Sequence, residues 1–98
     1  MPDVVIEVVE VRGKCALGYK PGDRILVKGF YVDTASSANV CIHALTGIMS
    51  LLSPFAHGVS ARSLGIGEKD DEGYLQCPDP GRPYTCGGTV VFRVKRLV

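Results

Sequence analysis

The segment 34–61 constrains the fold more than any other, because it contains no Lys, Arg, Asp or Glu. All 11 basic and all 10 acidic residues of the 98-residue chain lie outside it. Inside it, apolar residues recur at intervals of three and four, which predicts one long helix with an apolar face. That face consists of Cys41, Ala44, Leu45, Ile48, Leu52 and Phe55. We therefore expect the rest of the chain to be arranged around this helix.

Polar residues on either side suggest where the helix begins and ends. Asn39, Ser36 or Ser37 is expected to cap its start. Pro54 is expected to bend or end it, with Gly58 closing the last turn.

The opposite helix face carries His43, Thr46, Gly47 and Ser50, which are small or polar but uncharged. A solvent-facing side normally carries Lys or Glu, and Gly47 costs a helix about 1 kcal/mol relative to alanine. We therefore expect this face to be covered too, either by segment 55–88 folding back or by a second copy in a two-fold dimer.

Four segments have the β-branched or alternating character of strands: 4–11, 24–28, 74–77 and 89–94. Residues 30–32 are expected to prolong the second strand past Gly29. The first is apolar on both faces, with Val4, Ile6 and Val8 on one side, and this indicates a central strand.

The resulting order is β-β-α-β-β, with connections at each end that favour antiparallel pairing. We predict a single α+β domain spanning 1–98, in which one main helix packs on a small antiparallel sheet.

Charge and hydropathy argue against several partners. The net charge is +1, so nucleic acid is not an expected partner. The cluster Arg93, Lys95 and Arg96 is expected to be a solvated strand edge. The longest apolar run, 40–52, is interrupted by polar residues, so a membrane span is not expected. The acidic start is unlike a signal peptide, and we expect a cytoplasmic protein with reduced thiols.

The four cysteines, Cys15, Cys41, Cys77 and Cys86, include no C-x-x-C pair. One interpretation is that Cys15, Cys41 and Cys77 converge, with His43, on a soft metal such as zinc or iron. The other is that they are small buried packing residues. Within one helix, residues i and i+2 point about 200° apart, so Cys41 and His43 are expected to head two different surfaces. Cys77 and Cys86 could instead form a redox pair.

Other residues would support chemistry at these positions. Cys41 near a helix start could be a reactive thiol, assisted by His43 or Lys14. Asp79 could orient a histidine. Arg82, in a proline-fixed turn, could bind an anion.

Four short motifs lie along the chain, and their combination resembles a family of small, stand-alone prokaryotic proteins. They are Arg12-Gly13-Lys14-Cys15, Gly18-Tyr19-Lys20-x-Gly22-Asp23, Cys41-x-His43-Ala44-Leu45 and Cys77-Pro78-Asp79-Pro80. The resemblance covers essentially the whole chain. It implies no established activity or cofactor, and it makes Cys15, Cys41, His43 and Cys77 the positions to test.

Two hypotheses of different classes follow. The first is a small accessory protein with a cysteine-centred metal or redox site. The second is a non-catalytic module, either homo-oligomeric or ligand-binding, whose cysteines are structural. Whether the protein is an enzyme stays open, since spacing alone places no oriented acid–base pair.

Overall fold

The structure, a computed structural model, describes residues 2–97. Over this range the chain forms, in order, β1 (Asp3–Gly13), β2 (Arg24–Lys28), β3 (Tyr31–Val32), a short 3-10 helix (Thr34–Ser36), α1 (Ile42–Ala56), α2 (Ala61–Leu64), β4 (Glu72–Gln76) and β5 (Gly88–Leu97). The strands form an antiparallel sheet in the order β3-β2-β1-β5-β4. The predicted α+β class, with one main helix and a small antiparallel sheet, is confirmed.

The core lies between α1 and one face of the sheet. Val4, Ile6 and Val8 of the central strand β1 are fully buried, and α1 contributes Ile48 and Phe55 to the same cluster. Burial of each such aliphatic or aromatic side chain is worth about 1.5–3 kcal/mol before the entropic cost of ordering it. Packing of the periodic apolar face therefore fixes α1 on the sheet.

A β-bulge in β1 changes which side of the sheet its end faces. The pairing with β5 shifts between Val8 and Glu10, so that Val11 stands opposite Val90 on the core side. Strict alternation would place Val11 on the outer face with Val5. An extra residue in one strand reverses the alternation beyond it.

The β2–β3 turn differs from the expected continuation of the second strand. The chain reverses at Gly29 and Phe30, where Gly29 has φ of +61°, and Lys28 pairs with Tyr31. Glycine at positive φ permits this tight turn. Residues 31–32 therefore form a third, edge strand with Phe30 in the turn before it, and the prediction that residues 30–32 prolong β2 is wrong.

The helix begins later than expected. Cys41, with extended backbone, occupies the N-cap position of α1 and makes no side-chain capping bond. Ser37 is already used elsewhere, because its hydroxyl accepts the Leu26 N–H at 2.9 Å and donates to the Asp33 carbonyl at 2.7 Å. The prediction that Asn39, Ser36 or Ser37 caps α1 is therefore wrong.

The chain itself contacts the uncharged helix face at one point and leaves the face exposed. At Gly47 the ring of Pro78 comes so close that a Cβ atom there would lie 2.8 Å from Pro78 Cδ. His43, Thr46 and Ser50 are exposed. Pro78 of segment 55–88 therefore contacts this face only at Gly47, which stays exposed like the other three residues, so this segment does not cover the face. Coverage by a second copy stays a prediction.

Arg96 corrects the expectation of a solvated strand edge. It is only 5% exposed and lies over the Phe55 ring, 4.4 Å from its centroid. Its guanidinium donates to the carbonyls of Phe55, Val59 and Asp70 and to the carboxylate of Asp71. The side chain therefore ties the end of α1, and the loop before β4 that contains Asp70 and Asp71, to the last strand.

Between residues 2 and 97, the helices are all too short or too polar to cross a membrane.

Candidate functional site

A cavity of about 390 Å³ lies at the end of the sheet where β4 finishes and β5 begins. Three parts of the chain form its walls: the loop after β1, the start of α1, and the turn that joins β4 to β5. We call it the thiol-lined cavity. Its lining residues are Cys15, Ala16, Leu17, Tyr19, Cys41, His43, Ala44, Cys77, Pro78, Asp79, Pro80, Thr85, Gly88 and Val90.

The structure brings five candidate residues to this one cavity, namely Cys15, Cys41, His43, Cys77 and Asp79. Cys41 precedes the helix rather than lying within it, so the angular separation of residues i and i+2 on a helix does not apply. Cys41 packs against the core and His43 is exposed, yet both line this one cavity. All four cysteines are free thiols.

Cys77 is the most firmly held of the three thiols in this cavity. It follows β4 on the same side as Leu75, and its amide donates to the Val90 carbonyl at 2.9 Å. Its sulfur in turn accepts the Val90 N–H at 3.2 Å and lies 3.8 Å from the Gly88 carbonyl. The sulfur thus takes the place of a backbone acceptor at the end of the β4–β5 ladder.

Tyr19 joins the first loop to the start of α1. Its hydroxyl accepts the Cys41 N–H at 2.8 Å and donates to the Asn39 carbonyl at 2.7 Å. The ring meets Phe92 edge-on, with 6.0 Å between centroids. Burial raises the pKa of Tyr19 above its usual value, outweighing the opposite effect of the Cys41 N–H, so the hydroxyl stays a proton donor.

Sequence reasoning missed Tyr19 as a site residue. Its motif, Gly18-Tyr19-Lys20, was recognised, but a tyrosine in a loop gives no indication of hydrogen-bond partners 20 residues away. The available signal was an aromatic residue in a loop otherwise rich in glycine and lysine.

Asp79 organises the β4–β5 turn. Its carboxylate accepts the Gly81 N–H at 2.9 Å and the Thr85 hydroxyl, and its carbonyl accepts the Thr89 hydroxyl at 2.6 Å. The Thr85 and Gly81 hydrogen bonds lower the pKa of this carboxyl group. Within residues 2–97 its hydrogen bonds go to this turn and the start of β5, and none goes to a histidine.

A metal centre is not preformed in the cavity. Thiolate and imidazole are the donors that zinc prefers, and these residue types do line the cavity. However, among residues 2–97 no three His, Cys, Asp or Glu side chains are grouped closely enough to hold a metal ion. The thiols therefore surround the cavity and do not converge on one position that a metal ion could occupy.

Lys14, Arg82 and Cys86 lie in a second, neighbouring cavity of about 540 Å³, which we call the basic cavity. It is lined by Arg12, Gly13, Lys14, Pro80, Gly81, Arg82, Cys86, Gly87 and Thr89. Cys86 is exposed, whereas Cys77 is buried in the other cavity. The suggested redox pair Cys77–Cys86 is thus divided between two cavities.

Comparison of the chain with protein-family models, curated proteins and solved structures finds no match. The fold and the site by themselves define a small α+β protein with a thiol-lined cavity at the end of its sheet.

Proposed function

We propose that the protein binds a small, mostly apolar organic molecule in the thiol-lined cavity. One observation carries the proposal: all four sequence motifs supply residues to this one cavity. The first motif contributes Cys15 and the second Tyr19. The third contributes Cys41, His43 and Ala44, and the fourth contributes all of Cys77–Pro80. Motifs that are far apart in sequence and meet around one space are best explained by a ligand that occupies it.

The size and chemistry of the cavity fit this role. Its volume of about 390 Å³ lies within the roughly 300–1,000 Å³ range of small-molecule sites. Leu17, Ala44 and Val90 supply apolar wall, while the Tyr19 hydroxyl and the Asp79 carboxylate are engaged in protein hydrogen bonds. The Cys77 sulfur is likewise engaged, so the groups left to orient a ligand are the thiols of Cys15 and Cys41 and the exposed His43, which favours a polarisable, aromatic or sulfur-containing molecule.

The proposed setting is the cytoplasm of a prokaryote, as the resemblance in sequence implies. Free thiols stay reduced there.

The test uses a neutral fluorescent probe, phenylnaphthylamine, whose emission rises in apolar surroundings. We expect saturable binding of one probe per chain. Ala16→Phe, at an exposed position on the cavity wall, should weaken binding about tenfold or more by filling the space. Ala35→Phe, on the exposed 3-10 helix outside the cavity, is the matched control and should bind as the wild type does. Unsaturable binding, or equal binding by both variants, would refute the proposal.

A second candidate is a soft-metal site, favoured by three thiols and one imidazole that line the same cavity. It requires the side chains to move together on binding, since they are not grouped in this structure. Metal analysis of anaerobically purified protein decides between the two. Stoichiometric zinc or iron that is lost in Cys15→Ser and Cys77→Ser would support the metal site, whereas metal-free protein that binds the probe would support the ligand cavity.

A further inference from the structure

We propose that the basic cavity binds an oxyanion, the phosphate or carboxylate group of a small molecule. This inference is independent of the ligand proposed for the thiol-lined cavity. It begins from three cationic side chains, Arg12, Lys14 and Arg82, which come from two distant parts of the chain and line one hollow of about 540 Å³.

Glycines bring these distant parts together. Gly13, with φ of +82°, ends β1 opposite Gly88 at the start of β5. A Cβ atom on Gly88 would lie 2.6 Å from the amide nitrogen of Lys14, so a larger residue could not be accommodated. This close backbone contact sets Arg12 and Lys14 beside the turn that carries Arg82.

Two of the three cationic side chains that line the basic cavity have no acidic partner in the part of the chain that the structure describes. Arg12 forms an ion pair with Glu10, whereas Lys14 and Arg82 form no ion pair within the described range 2–97. None of the lining residues is acidic. The carboxylate of Asp79 lies next to Gly87 of the lining, and one of its oxygens accepts hydrogen bonds from Gly81 and Thr85.

The unpaired like charges of Lys14 and Arg82 repel each other across the hollow, and an anion placed between them removes that repulsion. Guanidinium groups offer paired N–H donors that match the oxygen atoms of phosphate or carboxylate, and an ammonium adds a point charge. The cavity is large enough for the anionic end of a metabolite, not only for a single ion.

Cys86 provides a reporter in the cavity wall, because its thiol is exposed there. Its rate of modification by the neutral reagent dithiodipyridine can be followed in the full chain by mass spectrometry of the Cys86 peptide, at constant ionic strength. We expect inorganic phosphate or citrate to slow this reaction saturably. Stronger protection by phosphate would identify a phosphate ligand, and stronger protection by citrate a carboxylate ligand.

Variants separate a specific site from general screening by salt. Lys14→Gln and Arg82→Gln should each raise the half-protecting concentration about tenfold, since each removes a charged hydrogen-bond donor. Lys20→Gln, an exposed lysine of the same loop outside the cavity, is the matched control and should behave as the wild type. Circular dichroism and phenylnaphthylamine binding show whether each variant is folded and whether the other cavity is intact.

The inference is overturned if neither anion protects Cys86 saturably. It is also overturned if Lys14→Gln and Arg82→Gln are protected at the same concentrations as wild type and Lys20→Gln. If Lys14→Gln and Arg82→Gln lose protection of Cys86 but bind phenylnaphthylamine normally, the anion site is confirmed as separate from the proposed ligand cavity.

Discussion

The hydroxyl group of Tyr19 forms two hydrogen bonds that a phenylalanine could not make. It accepts the N–H of Cys41, the N-cap residue of α1, and donates to the carbonyl of Asn39. The first N–H groups of a helix have no partner within it. Here the side chain of Tyr19, in the first loop, binds residues 39–41, the segment that leads into α1. Tyr19 therefore fixes the mouth of the thiol-lined cavity, where Cys15 and Cys41 lie.

We expect Tyr19→Phe to lower the free energy of unfolding by about 1–2 kcal/mol, because two backbone groups lose a partner while the ring keeps its packing on Phe92. Urea unfolding followed by circular dichroism measures the change. Tyr84→Phe is the control, since Tyr84 is 80% exposed, and it should change stability by less than about 0.5 kcal/mol. Equal effects of the two substitutions would contradict the role given to the Tyr19 hydroxyl.

At the scale of single residues, the sequence identified the cysteines but not what holds them. Cys41 and Cys77 stood out because they lie at the ends of predicted elements, where a fold can bring distant segments together. The hydrogen bond from Val90 to the Cys77 sulfur and the bonds of Tyr19 could not be predicted. They depend on which loop meets which strand, and composition and periodicity carry no such information.

The contact between α1 and the β4–β5 turn explains a glycine in the middle of a helix. Pro78 packs against Gly47, and the same proline lines the thiol-lined cavity. The helix thus gives up about 1 kcal/mol of helix propensity at this position. In return, the wall that carries Cys77 can approach the helix closely.

Gly47→Ala should therefore destabilise the protein. The overpacking against Pro78 should cost about 1–3 kcal/mol, and the better helix propensity of alanine should offset about 1 kcal/mol of that cost. In a Pro78→Ala background, where the ring is absent, the same substitution should stabilise by up to about 1 kcal/mol. Denaturant unfolding of the four proteins gives this double-mutant cycle. If Gly47→Ala stabilises the wild type as well, the close approach of Pro78 is not what selects glycine.

At the scale of elements, the sequence predicted which residues of one helix or strand face the core. It did not predict features that depend on contacts between two elements. The apolar face of α1 and the inward positions Val90, Phe92 and Val94 of β5 were predicted from period alone, and they are confirmed. The bulge in β1 was not, because it belongs to the pairing of β1 with β5, which lies at the other end of the sequence. The N-terminal boundary of α1 was predicted wrongly, since Ser37, which resembles a cap, bonds to Leu26 of β2 and to the Asp33 carbonyl instead.

For the whole molecule, Arg96 shows how a charged residue can be part of the core. Its position on a predicted outer edge suggested solvent exposure, yet it binds the carbonyl of Phe55, 41 residues away. Four acceptors surround the guanidinium, which offsets the cost of burying a charge. Hydrogen bonds between a side chain and a backbone carbonyl so far away in sequence depend on tertiary structure, and they leave no periodic signal in the sequence.

The exposed face of α1 has the composition of a surface that is covered by something. His43, Thr46 and Ser50 are exposed on it, Ile42 beside them is 71% exposed, and Met49 is 40% exposed. No Lys, Arg, Asp or Glu occurs between 34 and 61. A charged partner would find no complement here, whereas a second copy of the same face brings no like charges together. A two-fold dimer through α1 is therefore the expected arrangement.

Size-exclusion chromatography with light scattering should give twice the mass of the chain. Ser50→Glu, on the exposed face, should shift the protein to monomer, because symmetry would place two carboxylates together in a surface with no cation to pair them. Ser63→Glu, at an exposed position of α2, adds the same charge away from the face and should leave the dimer intact. A monomeric wild type would exclude self-association, and a dimer unaffected by Ser50→Glu would place the interface elsewhere, for example on the edge strand β3.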